Sequence, residues 1–130
     1  MAEIIRAEHA GFCFGVKQAM DRTQQQIDQR VSGRRIFTCG PLIHNRRVTD
    51  DLERQGVTII EQLSEARPGD VVIVRSHGEG KAFFEEADSR GLTVVNATCP
   101  FVDRIHQLVF DAYNEGKHIV IVGDQSHPEV

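Results

Sequence analysis

Residues 70–76, DVVIVRS, decide the fold of this chain. The aliphatic run from Val71 to Val74 is β-branched at every position, which is typical of a strand buried on both faces. A half-exposed strand would instead alternate polar and apolar residues. Strands buried on both faces occur mainly in parallel sheets covered by helices, so this segment predicts an α/β protein.

The segments around this strand alternate between strand-like and helix-like patterns. Further strands are predicted at 3–8, 34–39, 57–60, 93–98 and 117–124, and helices at 15–27, 45–55, 81–91 and 100–116, with a short helix-like turn at 61–66. Strict alternation predicts parallel strands joined by right-handed crossovers, that is, βαβ units. We expect one α/β unit over 1–98 and the start of a second, incomplete unit over 99–130.

Composition bounds the function classes. A chain of 130 residues that is 40% hydrophobic and 26% charged matches one ordinary domain. Its formal net charge of −4 argues against a protein that binds nucleic acid. We see neither an apolar run long enough to span a membrane nor a signal peptide. Three cysteines without a pairing pattern indicate a reducing compartment, so we expect a cytoplasmic protein without a membrane partner.

Reactive side chains follow the predicted strands. They comprise all three cysteines, three of the six histidines and one glutamate: Cys13, Cys39, His44, His77, Cys99, His127 and Glu129. The carboxyl ends of parallel strands lie at one edge of a sheet, and ligands of α/β proteins bind beyond that edge. The sequence therefore predicts a functional site there.

The cysteines differ in their predicted surroundings. Cys13 and Cys99 each stand where a helix begins, and the helix dipole there favours a thiolate. Cys39 follows an apolar strand, so we expect it to pack in the core. No C-x-x-C pair indicates a zinc ribbon. Cysteines that converge from distant strand ends suit an iron–sulfur cluster, but the spacing leaves zinc and other options open.

The histidines also divide into two groups. His44 and His77 lie in loops after strands, and His127 stands two residues before Glu129 as a potential proton-transfer pair. The other three are expected to be structural or exposed: His9, His106 and His118. From the residues alone, a non-enzymatic α/β module that binds an anion or a partner remains an alternative to an enzyme.

Five ordered motifs, GFCFGV, GPLIHNRRV, RSHGEG, NATCPFV and SHPEV, resemble the 4-hydroxy-3-methylbut-2-enyl diphosphate reductase family. That family catalyses the last step of the methylerythritol phosphate route to isoprenoids. The resemblance implies an iron–sulfur oxidoreductase with a [4Fe–4S] cluster. It would remove the substrate hydroxyl and form isopentenyl and dimethylallyl diphosphates, with ferredoxin or flavodoxin as the external electron donor.

The resemblance also implies roles for single residues. Cys13 and Cys99 match two of the three cluster ligands, whereas Cys39 has no counterpart among them. His44, His77 and His127 match the histidines around the substrate diphosphate, and His127 and Glu129 match the proton-delivery residues. Family members contain three similar α/β units and a third cysteine ligand. We therefore expect this chain to be the N-terminal part, unable by itself to hold a stable cubane and doubtful as an active enzyme.

Overall fold

The central element of the structure is a parallel sheet of four strands. The computed structural model describes residues 2–127 and 129–130. The strands are β1 (Ile36–Cys39), β2 (Val57–Ile60), β3 (Val71–Val74) and β4 (Thr93–Asn96). Their order in the sheet is β2-β1-β3-β4, and all three neighbouring pairs are parallel. The predicted α/β class and these four strands are thus confirmed.

Four helices alternate with the strands. They are α1 (Phe14–Asp28), α2 (Arg46–Arg54), α3 (Lys81–Ser89) and α4 (Pro100–Asn114), and a short 3₁₀ turn occupies Leu63–Glu65. Each lies where the sequence predicts helical structure, within the one or two residues by which helix ends vary.

The two faces of the sheet carry separate apolar clusters. On one face, Ala19 of α1 and Leu52 of α2 pack with Ile36 and Ile73. On the other face, Ala87 of α3 packs with residues of β1 and β3 that point the opposite way, such as Phe37 and Val72. The central strand β3 is buried along its whole length, as its aliphatic run predicts.

Small residues bring α1 close to the sheet. Its buried positions are Gly15, Ala19 and Thr23, which recur every four residues and therefore share one side of the helix. The Thr23 hydroxyl donates to the carbonyl of Ala19 at 2.8 Å, so its polar atom is satisfied within the helix. The guanidinium of Arg22 donates to the carbonyl of Asn96 and ties α1 to the end of β4.

Two of the predicted strands are wrong. Residues 3–8 and 117–124 form no strand, and their aliphatic side chains are exposed, from Ile4 and Ile5 at one end to Val120 and Val122 at the other. A β-strand requires a neighbour for its backbone hydrogen bonds, and neither segment pairs with another strand within residues 2–127. Their β-branched residues favour strands, but among the described residues no neighbouring strand is available to pair with them.

The long helix α4 lies loosely on this body. None of its residues is buried, and several large apolar side chains are exposed, namely Phe101, Ile105, Leu108, Phe110 and Tyr113. The division into a unit 1–98 and a second unit from 99 stays a prediction. Within the described residues, no helix is both long and apolar enough to cross a membrane.

One buried carboxylate, that of Asp70, lies at the amino-terminal edge of the sheet, directly before β3. The Asp70 carboxylate accepts from the Arg35 guanidinium at 2.5 Å and from the backbone amides of Arg67 and Arg35 at 2.8 and 3.2 Å. Burial acts to raise the pKa of Asp70, but these donors outweigh it and hold the pKa below its usual value.

We predict that Asp70→Ala lowers the free energy of unfolding by about 1–3 kcal/mol at pH 7, because buried amide donors lose their acceptor. Since the folded-state pKa is lowered, the stabilisation is complete above the unfolded-state pKa and is lost as the pH falls through the folded value. The deficit should therefore shrink in acid. Urea titrations measure the loss of unfolding free energy in Asp70→Ala, and the variant of an exposed residue, Asp21→Ala, is the control. A loss that is equal at pH 3 and pH 7 would show that the Asp70 carboxylate does not stabilise the fold in this way.

Candidate functional site

The strand order creates the site. From β1 the chain crosses to β2 on one side of the sheet, and from β3 it crosses to β4 on the other, so the loops after β1 and β3 diverge. Such a switch point leaves a crevice at the carboxyl edge of a parallel sheet, where ligands bind. His44 follows β1 and His77 follows β3, so the two histidines flank this crevice.

Three histidines meet at the crevice. The ring centroids of His44 and His77 are 4.9 Å apart, and those of His77 and His127 are 6.2 Å apart. His44 and His127 are exposed, whereas His77 is only 8% exposed. The structure thus brings together all three histidines that the sequence singles out, although His127 follows no strand.

The central histidine lacks a partner for one ring nitrogen. Nδ1 of His77 is buried and finds no hydrogen-bond partner among residues 2–127 and 129–130. Buried polar groups are nearly always paired, so an orphaned nitrogen indicates a water or ligand that completes the site. Burial lowers the pKa of His77, the nearby His44 lowers it further, and Glu129 partly opposes them. These surroundings therefore favour the neutral form of the ring.

His127 and Glu129 contact each other through the backbone. The amide of Glu129 donates to Nδ1 of His127 at 3.3 Å. A neutral imidazole that accepts at Nδ1 carries its proton on Nε2, so His127 retains a donor for a ligand. Glu129 lines, with His77, an open cavity of about 670 Å³ between the loop after β3 and α4.

The cysteines of the two helix starts also converge. Cys13 is the N-cap of α1 and Cys99 the N-cap of α4, and neither helix start has a side-chain cap. A Cβ atom added to Gly15 would clash with Sγ of Cys99, so the Cys99 thiol lies directly against the first turn of α1. Both cysteines therefore stand at the N-termini of 15-residue helices, where the partial positive charge of the helix dipole lies.

A backbone contact joins the cysteine helix to the histidines. The amide of Cys99 donates to the carbonyl of Ser76 at 2.9 Å, which extends the pairing of β3 and β4 beyond the strand ends. Cys99 is thus hydrogen-bonded to the residue preceding His77, and the two groups share one edge of the sheet.

Cys39 lies apart from this pair. Its side chain packs with the cluster around Phe37 and Val72, on the sheet face opposite to α1. Its thiol lies 3.7 Å from the carbonyl of Glu61, and burial, with the charge of Glu79, raises the pKa of the Cys39 thiol. These surroundings disfavour a thiolate and accord with the predicted packing role.

Three residues of the site escaped the sequence analysis. Gly15 provides the space for Cys99. Arg75 pairs with Glu79 at 2.9 Å beneath the His77 loop. His106 is exposed, in agreement with the prediction that it is structural or exposed, but its contact with Gly78 was not foreseen. The motifs GFCFGV and RSHGEG include Gly15 and Gly78, but the sequence does not show which side chains pack against these two glycines.

Comparison with known proteins identifies the family of this chain. The sequence matches the family described as LytB protein over residues 4–130. The chain belongs to the LytB family. It is 43% identical over 130 residues to the 4-hydroxy-3-methylbut-2-enyl diphosphate reductase of Thermoanaerobacter sp. (strain X514), and 46% identical to that of Clostridium perfringens (strain 13 / Type A). Each alignment covers 98% of this chain and 45% of the relative.

Solved structures of LytB relatives share the fold. One, a structure of (E)-4-hydroxy-3-methyl-but-2-enyl diphosphate reductase, described as the terminal enzyme of the non-mevalonate pathway, superposes with a TM-score of 0.83 at 42% identity. It covers 99% of this chain and 45% of that chain. The Plasmodium falciparum reductase superposes with a TM-score of 0.85 at 29% identity, over 92% of this chain and 37% of its own. This chain thus spans less than half the length of these relatives.

We predict that His44→Gln raises the pKa of His77 toward its ordinary value, because a neighbouring imidazole that can become positively charged is removed. Burial remains, so the shift should be partial. Proton–nitrogen NMR titration of the imidazoles measures it, with exposed His9→Gln as control. An unchanged or lowered His77 pKa in His44→Gln would refute the arrangement of the two rings.

Proposed function

We propose that this region forms the diphosphate-binding wall and part of the cluster site of a 4-hydroxy-3-methylbut-2-enyl diphosphate reductase. The observation that supports it most is the meeting of His44, His77 and His127 at the switch point, beside Cys99. The names of the similar proteins supply the substrate class. The activity itself would belong to a protein of the relatives' full length.

The histidines would hold the diphosphate. Nε2 of His127 presents a donor, and the unpaired Nδ1 of His77 would pair with a phosphate oxygen once that nitrogen carries a proton. Binding an anion next to His77 opposes the burial that lowers its pKa, so substrate binding and proton uptake would be coupled. Donors fixed before binding also orient the substrate, which lowers the entropy cost of the reaction.

Cys13 and Cys99 would be cluster ligands. Their thiols fit this role because both cap helix starts, and the Cys99 side chain lies against the first turn of the helix that Cys13 begins. When bound, a [4Fe–4S] cluster would supply electrons, and its open iron would act as a Lewis acid. Within the described residues, no group of three potential ligands gathers, so a further ligand would come from outside this set.

Glu129 would deliver a proton to the leaving hydroxyl. It lines the cavity beside His77, and its backbone amide is held by His127. Reductive removal of a hydroxyl as water consumes two electrons and two protons, so a proton carrier near the leaving oxygen is required. The electrons would come singly from ferredoxin or flavodoxin, and the products would be isopentenyl and dimethylallyl diphosphates.

We predict that the chain binds inorganic pyrophosphate and that His77→Gln weakens binding about tenfold, equivalent to one lost charge-assisted hydrogen bond. Calorimetry at pH 7 measures the dissociation constants, and His9→Gln should leave them unchanged. Equal binding by wild type and His77→Gln would refute the proposed anion site.

We predict that anaerobic reconstitution places fewer than four irons per chain, with a brown iron–sulfur absorption that falls to background in Cys13→Ser and Cys99→Ser. Cys39→Ala should retain it, because that thiol lies on the other face of the sheet. Gly15→Ala keeps every cysteine but should reduce iron content, since its methyl displaces Cys99, whereas Gly80→Ala, which meets open space, should not.

The outcomes separate the alternatives. Four irons per chain with turnover would overturn the expectation that this region lacks a ligand. Pyrophosphate binding by a colourless, redox-silent protein would favour the non-enzymatic anion-binding module. Stoichiometric zinc after purification would favour the zinc-binding domain, although structural zinc sites take four ligands and no group of three is found in the described part of the chain.

A further inference from the structure

The loop that carries His77 is packed against a second histidine. Gly78 has a φ of +79°, and its amide donates to the carbonyl of Arg75 at 3.0 Å, which closes a turn. A Cβ atom at Gly78 would lie 2.7 Å from Cε1 of His106 and 3.1 Å from Cγ2 of Thr98. The imidazole of His106 therefore rests directly on the backbone of the residue that follows His77.

His106 stands on the inner side of α4. It lies seven residues after Cys99, which is two helical turns, so both residues share one side of the helix. Its neighbours on that side, Val102 and Val109, are half-buried, whereas His106 itself and most other α4 residues are exposed. The contact with Gly78 therefore involves one edge of the His106 ring, while the rest of the ring remains accessible to solvent.

We propose that His106 is a positioning residue that holds the 75–80 turn and so keeps the His77 ring beside His44. This inference rests on the proposed role of His77 as a diphosphate ligand. The helix that begins at Cys99 would then contact the His77 loop at two places, through the backbone at Ser76 and through this imidazole at Gly78. The thiol and the histidine would be fixed relative to each other.

The contact between His106 and Gly78 depends on the shape of the ring and not on a hydrogen bond. The His106 atom nearest to a Cβ added at Gly78 is the carbon Cε1, at 2.7 Å, while Nδ1 lies farther away, at 3.4 Å. A flat ring of similar size should therefore replace the imidazole, whereas removing the ring should free the turn. Direct recognition of the diphosphate by His106, which lines the same cavity as His77, would instead require its nitrogens.

The test compares His106→Ala with His106→Phe in the full chain. We expect the His77 imidazole signals in proton–nitrogen NMR spectra to shift and broaden in His106→Ala and to remain near wild type in His106→Phe. The dissociation constant for inorganic pyrophosphate should rise about tenfold in the alanine variant, a loss typical of a misplaced binding group. The phenylalanine variant should bind like wild type.

A second pair of variants tests the same contact by changing Gly78 instead of His106. Gly78→Ala should disturb the His77 signals for two reasons: its φ of +79° disfavours alanine, and the added methyl group meets His106. Combining it with His106→Ala should restore the signals in part, because only the second cause is removed. Gly80→Ala, in open space and at an ordinary φ of −76°, controls for adding a methyl group to this turn. Gly78→Ala alone leaves His106 in place and keeps the inference testable if His106→Ala unfolds.

The results distinguish the inference from the function on which it rests. Unchanged His77 signals in both His106→Ala and Gly78→Ala would overturn it. Loss of pyrophosphate binding in His106→Phe with unchanged His77 signals would also overturn it, and would make His106 a direct ligand. If His77 responds as expected but wild type binds no pyrophosphate, the positioning role stands and the proposed function fails.

Discussion

The order of the strands is the constraint on which the site depends. Because β1 and β3 are neighbours and their crossovers run to opposite sides, the loops that follow them must separate at the carboxyl edge. His44 and His77 lie in these two loops, on either side of the crevice, and their ring centroids approach to 4.9 Å across it. Two imidazoles placed together repel when both are protonated, and an anion bound beside them would offset that repulsion.

Close backbone approach is the second constraint. α1 can lie near the start of α4 because Gly15 has no side chain, and the space it leaves is filled by the Cys99 thiol. Gly78 serves in the same way beneath His106. At both places a glycine sits next to a reactive side chain and lets another helix pack against it. Substitution there would preserve every polar residue and still disturb the site.

The sequence predicts most of the sheet and the residues of the site, for physical reasons. The aliphatic run of β3 allows hardly any environment other than a sheet covered on both faces, and the helices show their own periodicity. The strands predicted at 3–8 and 117–124 are wrong because a strand depends on a partner that its own residues do not specify. The contacts of Gly15 and His106 are likewise set by how distant helices meet. His127 illustrates the same limit: it reaches His77 without a strand to place it.

The burial of His77 has opposite effects on the stability of the fold and on the binding of a ligand. The His77 ring is 8% exposed, and its Nδ1 finds no hydrogen-bond partner among residues 2–127 and 129–130. Buried polar groups cost free energy when they lack a partner. The same desolvation lowers its pKa and strengthens any hydrogen bond it later makes, because the local dielectric constant is low. At the other end of β3, Asp70 has all its donors in place. The central strand β3 thus has the hydrogen-bonded carboxylate of Asp70 before it, which supports folding. After it comes the buried ring of His77, whose free nitrogen a ligand would bind.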